Sequence, residues 1–265
     1  DDIDIFESHK LSNEKIPNFH LKFDTGMTRL GINISDASNV FERVKRNLGT
    51  ECKGIYSHYA TADEGDLSFA NHQFSLFNDV IETAIEKEIK FETIHFSNSG
   101  ASINLDQSKF DQVRVGMLLY GAYPSSEVPK DLPVEPVMEF CAPLVEVRKV
   151  KKNTPVSYGG VYKTPDDCTI GVVQCGFADG IPREWYKEGF VSMNGTYFKI
   201  AGRICMDQFM VNFEKFTPSI GEEILIFGKN KANQISMEKI SETIKSTPYV
   251  VATGIKGRTQ KEYKF

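Results

Sequence analysis

Over residues 1–125 the chain alternates short apolar runs with stretches whose apolar positions recur every three or four residues. Residues 19–23 predict a strand and 36–48 a helix. A second strand is expected at 55–59. The helix after it can be capped by Asp66 and sets Phe69, Phe74, Phe77, Ile81, Ala84 and Ile85 on one face. Residues 94–96 and 113–120 predict two more strands. Near-continuous apolar strands that alternate with helices imply a parallel sheet covered by helices.

The pattern then changes. Residues 124–136 are rich in proline and read as a linker. Beyond them, strands are expected at 138–150, 169–174, 197–200, 209–213 and 223–227. Turn pairs such as Asn194-Gly195 and Asp179-Gly180 separate them. One helix, 236–244, interrupts this second, mostly β part. The expected organisation is therefore an α/β domain over 1–125 and a mostly-β domain over 126–265.

Composition narrows the function classes. With 40% hydrophobic and 25% charged residues, the chain has the make-up of a soluble globular protein. A net charge of −5 argues against a nucleic-acid partner, which calls for a basic patch. No apolar run reaches the length of a membrane span, and the acidic start lacks the apolar core of a signal peptide. Five scattered cysteines without a C-x-x-C pair fit a reducing cytoplasm and offer no zinc site.

A (β/α)8 barrel of about 250 residues gives each unit roughly 31, so 125 residues hold about four. Half a barrel leaves open parallel edges. Either the sheet is an open one or further units precede residue 1, and the absence of an initiator Met hints at a partial chain.

Polar residues gather at the carboxyl ends of the expected strands, where α/β sheets place ligands. HLKFDTGMTRLGI (20–32) carries Lys22, Asp24 and Arg29; GIYSHYATADE (54–64) carries His58; IHFSNSGA (94–101) carries His95, Asn98 and Ser99. QVRVGMLLYG (112–121) adds Arg114, Gly116 and Met117. Packing alone does not account for polar groups at the same end of four strands, and a buried arginine needs a partner or a ligand. Ser99 ahead of Gly100 suits an anion at a helix start. Asp24-Thr25-Gly26 resembles an aspartic-protease turn, but that chemistry needs a second such carboxylate and none occurs. In the β part, PVSYGG (155–160), GFADGIPR (176–183) and GRICMDQFMV (202–211) are polar turns, each common in β domains.

Taken in order, these segments resemble the alanine racemase family over nearly the whole chain. The resemblance implies an α/β plus β fold: the C-terminal half of a (β/α)8 TIM-type barrel, followed by a mostly-β domain. It implies pyridoxal 5'-phosphate (PLP) as cofactor, alanine as substrate, and a cytoplasmic homodimer with shared active sites that makes D-alanine for a cell wall. Arg114 would contact the pyridine nitrogen, with His58 beside it and Tyr158 as the base reaching into the partner's site. Arg29 and the backbone N–H of Met206 would hold the substrate carboxylate. Ser99, Gly116, Met117 and Tyr249 would hold the phosphate, with His95 also at the cofactor. Lys22 matches a lysine often carbamylated in the family, while Asp63, Phe177, Arg183 and Arg203 would line the entrance. No metal is implied.

Two departures stand out. Phe177 replaces a tyrosine common among relatives. The lysine that bonds the cofactor belongs to a Lys-x-Asn/Asp-Ala-Tyr strand, and no such segment occurs here. The expectation is a two-base racemase whose 265 residues are inactive alone. The alternatives are a serine or broad-specificity racemase, or a non-catalytic relative that binds a ligand.

Overall fold

The computed structural model describes residues 2–264. They divide into two compact units, one running to Gly116 and including Glu127–Lys130, the other made of Met117–Ser126 and the chain from Asp131 on.

The first unit contains α1 (Asp2–Leu11), β1 (Phe19–Asp24), β2 (Ile32–Asn33), α2 (Ala37–Arg43), β3 (Cys52–Tyr56), α3 (Ser68–Glu86), β4 (Thr93–His95) and α4 (Ser99–Asn104). Its four strands are all parallel, in the order β2-β1-β3-β4. Gln112 adds a single parallel bridge to His95. The strands are not the near-continuous apolar runs expected. In β1, Leu21 and Phe23 are buried, while His20, Lys22 and Asp24 are only partly so. Alternation along a strand sends successive side chains to opposite faces. The apolar face joins a core with Phe41 of α2, Ile55 of β3 and Phe77 and Val80 of α3. The opposite face is left to polar groups.

Register matters for that face. Phe19 pairs with Cys52 but His20 pairs with Gly54, so β3 carries one extra residue, Lys53, at a bulge. Gly54 in turn pairs with Thr93 of β4.

Several expected elements are displaced. The second strand lies at Cys52–Tyr56, earlier than 55–59, and the helix expected to reach 48 gives way to a π-helical turn, Val44–Leu48. On α3 the buried positions are Ala70, Gln73, Phe77, Val80 and Ala84, whereas Phe69 and Ile85 are exposed. The Asp66 carboxylate does accept a hydrogen bond near the start of α3, from the Ser68 N–H at 2.9 Å. Residues 113–120 form no strand, and Met117–Tyr120 is a 3₁₀ turn. The turn is closed by Gly121, whose φ of +71° and approach to the Glu135 carbonyl exclude a side chain.

The 124–136 stretch is docked, not a free linker. The Tyr123 hydroxyl donates to the Leu132 carbonyl at 2.7 Å, and Glu127 accepts the Gly65 N–H at 2.6 Å.

The second unit contains β5 (Phe140–Val150), β6 (Pro155–Val156), β7 (Tyr162–Lys163), β8 (Cys168–Val173), β9 (Phe190–Met193), β10 (Thr196–Ile200), β11 (Phe209–Asn212), β12 (Glu223–Asn230), β13 (Asn233–Ile235), α5 (Met237–Thr243) and α6 (Pro248–Gly254). Seven strands form one antiparallel sheet, β13-β12-β5-β8-β11-β10-β9. Leu225 of β12 also pairs with Ser192 of β9, which closes the sheet on itself. Closure leaves fewer open edges. Leu144, Val173, Phe209, Val211, Phe213 and Trp185 fill the interior. The expected Asn194-Gly195 turn joins β9 to β10, both residues at positive φ, with Met193 opposite Thr196. Ser236 caps α5 by accepting the Lys239 N–H. No helix among the described residues is long and apolar enough to cross a membrane.

Candidate active site

In the first unit, β1, β3 and β4 present their polar face together, and the segment after Gln112 brings Arg114 onto it. The Arg114 guanidinium donates from Nη1 to His95 Nδ1 at 2.6 Å. Its Nη2 donates to the Ser57 carbonyl at 2.7 Å, the Phe96 carbonyl at 3.2 Å and His58 Nδ1 at 3.3 Å. Its carbon lies 5.2 Å from the centre of the Tyr56 ring, within cation–π range. Among the described residues nothing accepts from Nε.

Burial lowers the Arg114 pKa, with partial opposition from Tyr56. Burial and then the charge of Arg114 push the His95 imidazole down to about 4. The same two causes, with Arg29 and Lys22 added, bring His58 to about 4. Both rings are therefore neutral near pH 7, and Arg114 is the only cation among the three. His95 itself is buried, with the Tyr56 ring stacked on it at 4.8 Å and 10°. Its other nitrogen, Nε2, lies 2.7 Å from His20 Nδ1.

The loop that carries His58 is tied down from α3. Gln73 is wholly buried. Its amide donates to the His58 carbonyl at 3.2 Å and to Thr25 Oγ1 at 3.3 Å, while its carbonyl accepts the Ala60 N–H at 2.8 Å. Ser57 Oγ donates to the Phe23 carbonyl at 2.7 Å. The ends of β1 and β3 are thus cross-linked beneath the polar face.

Lys22 and Arg29 complete the first cluster. Burial, then the charges of Arg29 and Arg114, lower the Lys22 pKa against the opposing pull of Asp24. Burial alone would raise the Asp24 carboxyl. The N–H groups of Gly26, Thr28 and Met27 outweigh it and hold the group below its usual range. Arg29 itself is exposed, on a loop that Gly31 folds back against β1: a Cβ there would lie 2.7 Å from the Asp24 nitrogen, and its φ is +136°.

Ser99 is buried at the start of α4 and its Oγ accepts the Gly116 N–H at 2.8 Å. Gly100 packs against Asp63, since a Cβ at 100 would meet Asp63 Cβ at 2.7 Å. Met117 is buried in the 3₁₀ turn that opens the second unit.

In the second unit Tyr158 sits in a 3₁₀ turn, 65% exposed, beside Ser157 at φ +66°. Ser157 Oγ donates to the Arg203 carbonyl at 2.7 Å, and Gly202 packs so closely that a Cβ would meet Ser157 Cβ at 2.6 Å. The tyrosine turn and the 202–208 loop are therefore one body. Met206, 56% exposed, accepts the Ala178 N–H at 3.0 Å through its carbonyl. Phe177, on that neighbouring turn, lies under the Arg183 guanidinium at 5.9 Å. Arg258 locks both loops by donating to Asp179 and Asp207. Tyr249 is an exposed residue of α6.

The structure thus gathers Lys22, His58, His95 and Arg114 on one face, and Tyr158, Phe177, Arg183, Arg203 and Met206 on a set of interlocked loops. His20, Tyr56 and Gln73 were missed as contributors. The first two lie in the quoted segments, on the same strand faces as Lys22 and His58; Gln73 is a polar residue inside an otherwise apolar helix face.

Comparison with known proteins agrees over both units. Residues 1–124 match the family model described as "Alanine racemase, N-terminal domain", and residues 137–263 match "Alanine racemase, C-terminal domain". The protein named "Alanine racemase 2" of Caldanaerobacter subterraneus subsp. tengcongensis is 35% identical over 251 residues, which is 94% of this chain and 65% of that protein. The chain thus spans 65% of the length of that relative. Alanine racemase from Streptomyces lavendulae has a similar structure, with a TM-score of 0.88, 30% identity, and 97% of this chain and 69% of that one covered. So does the enzyme from Bartonella henselae described with covalently bound pyridoxal phosphate, at a TM-score of 0.84, 26% identity and 99% and 70% coverage. The fold is that of these proteins, a TIM-like barrel domain followed by a β-rich domain.

Proposed function

This chain belongs to the alanine racemase family, and from that premise we propose that it serves a racemase that interconverts L- and D-alanine with PLP. The observation that carries the reading is the Arg114 guanidinium, with both Nη groups fixed by internal acceptors and Nε–H left without one among the described residues.

The residues present fit the cofactor. The charges of Arg29 and Arg114 lower the Lys22 pKa against Asp24, and those of Arg114, Arg29 and Lys22 lower that of His58, so this part of the face is short of negative charge. A phosphate, a phenolate oxygen and a substrate carboxylate would supply it. Arg114 would donate from Nε to the pyridine nitrogen, and Arg29 and the Met206 N–H would hold the carboxylate. Ser99, the backbone at Gly116 and Met117, and Tyr249 would take the phosphate. When bound, PLP supplies the electron withdrawal that loosens the substrate's α-proton.

Arginine is donor-only and keeps its own proton, so Arg114 leaves the nitrogen it contacts unprotonated. Tyr158 would take or return the α-proton at its Oη on one face, by general acid–base catalysis. The exposure of Tyr158 and Met206 on interlocked loops supports their use by a second copy, and hence a homodimer with shared sites. Lys22, with its ammonium form disfavoured, is suited to carbamylation: Nζ bonds the carbon of CO₂ and releases a proton, and the resulting anion would orient Arg29. Asp63, Phe177, Arg183 and Arg203 would line the entrance.

No lysine here lies in a Lys-x-Asn/Asp-Ala-Tyr context. The 265 residues alone are therefore expected not to racemise, and the protein that also contains that lysine is expected to do so. The test adds PLP and D-alanine to each and follows L-alanine, with D-serine as the competing substrate. Turnover by the 265 residues alone sinks the lysine assignment. Failure of the lysine-containing protein sinks the racemase reading, and a preference for D-serine reassigns the substrate.

A further inference from the structure

We propose that His20 is a positioning residue: it holds the His95 ring in the orientation that gives Arg114 Nη1 its acceptor.

The argument starts from what each group can donate. Arginine carries N–H groups and no acceptor, so His95 Nδ1, 2.6 Å from Nη1, must accept. A neutral imidazole with an unprotonated Nδ1 carries its proton on Nε2. That nitrogen faces His20 Nδ1 at 2.7 Å, so His95 donates there and His20 accepts. His20 in turn holds its own proton on Nε2. These tautomers follow from the hydrogen-bond network. Arg114, His95 and His20 form one line of donors, each pointing the same way.

The sheet is built to allow that line. His20 is on β1 and His95 on β4, with β3 between them. At the crossing point β3 has Gly54, in register with both His20 and Thr93. A Cβ on Gly54 would stand 3.0 Å from His20 Nδ1 and 2.4 Å from the Thr93 carbonyl. Only a residue without a side chain lets His20 reach across. The two imidazoles meet through their ring nitrogens, with centroids 5.0 Å apart and planes tilted at 53°, and are not stacked.

His20 supplies something Tyr56 cannot. Stacking by Tyr56 fixes the plane of the His95 ring but not its rotation within that plane. At 6% exposure His95 has little access to water that could replace His20 as acceptor. Without it a buried N–H goes unpaired, and the ring gains by turning away from Arg114. The consequence for the cofactor rests on the racemase reading; the hydrogen-bond line does not.

The test uses the protein labelled with ¹⁵N-histidine, its five imidazoles assigned by single substitution. The parent is expected to show His95 protonated at Nε2 and hydrogen-bonded at Nδ1, before any PLP is added. His20→Leu should lose that signature from a large part of the population. His20→Asn, whose amide oxygen can stand where Nδ1 stood, should retain it. PLP affinity should fall about tenfold in His20→Leu and stay within about twofold in His20→Asn, in line with losses on removing the partner of a ligating group. A parent His95 protonated at Nδ1 overturns the proposal, as does identical behaviour of the Leu and Asn variants in circular dichroism-matched samples. Failure of the parent to bind PLP would count against the racemase reading and leave the imidazole result to decide the role of His20.

Discussion

Gln73 accepts the backbone N–H of Ala60 at 2.8 Å while its amide donates to the His58 carbonyl, all from a side chain with no solvent exposure. One helical residue thereby fixes the loop on which His58 stands. Gln73→Leu preserves volume and removes every tie. It should cost about 1–3 kcal/mol of stability in urea denaturation, the usual penalty for leaving buried polar groups unpaired. It should also move the His58 imidazole signals. Gln73→Glu should be worse than Leu, because a carboxylate cannot donate to the His58 carbonyl. A silent Leu variant would show that the loop is held by other means.

Acid should unfold the protein earlier than its carboxylates alone dictate. His58 and His95 are held near 4 instead of 6.5. Between those values the unfolded chain binds protons that the folded chain refuses. The stability from the neutral rings is therefore complete above about pH 6.5 and falls as the pH drops toward 4. Thermal midpoints recorded from pH 7 to 4.5 should decline, with uptake approaching two protons per molecule on unfolding near pH 5. A flat profile in that window would mean that the rings titrate normally.

Arg114→Lys keeps the charge but cannot serve acceptors in several directions, since an ammonium is a compact point donor. The Ser57 and Phe96 carbonyls and His95 Nδ1 would compete for it. A loss of about 2–3 kcal/mol is expected, along with at least a tenfold drop in PLP affinity. Retention of both would remove Arg114 from the centre of the site.

Tyr158→Phe separates chemistry from folding. The side chain is 65% exposed, so the melting temperature should not move by more than about 1 °C, as for ordinary surface changes. Racemisation by the lysine-containing protein should fall about 10²–10⁴-fold, the usual worth of a general base. An unchanged rate would assign the proton transfer to another group.

Much of this was legible in the residues. The strand ends announced themselves through charged positions that apolar runs could not explain, and Asn194-Gly195 named its own hairpin turn because both residues tolerate positive φ. The fate of α3 was not legible. Its period placed Phe69 and Ile85 on the inner face, but packing against the loop at 57–60 favoured a buried Gln73 and left those two outside. Residues 113–120 look like a strand by composition; Gly121 and its close approach to Glu135 turn them into a 3₁₀ bend. His20 and His95 lie 75 positions apart on strands that do not pair, and nothing local in either segment signals their contact.

The bulge at Lys53 acts as a phase setter. Phe19 and Leu21, two apart on one face of β1, lie opposite Cys52 and Ile55, which are three apart. In an unbroken strand, residues three apart point to opposite faces. The extra residue absorbs that odd count, so Cys52 and Ile55 both reach the apolar core. The irregularity is thus confined to the stretch before Gly54, and the gap through which the two histidines touch keeps its register.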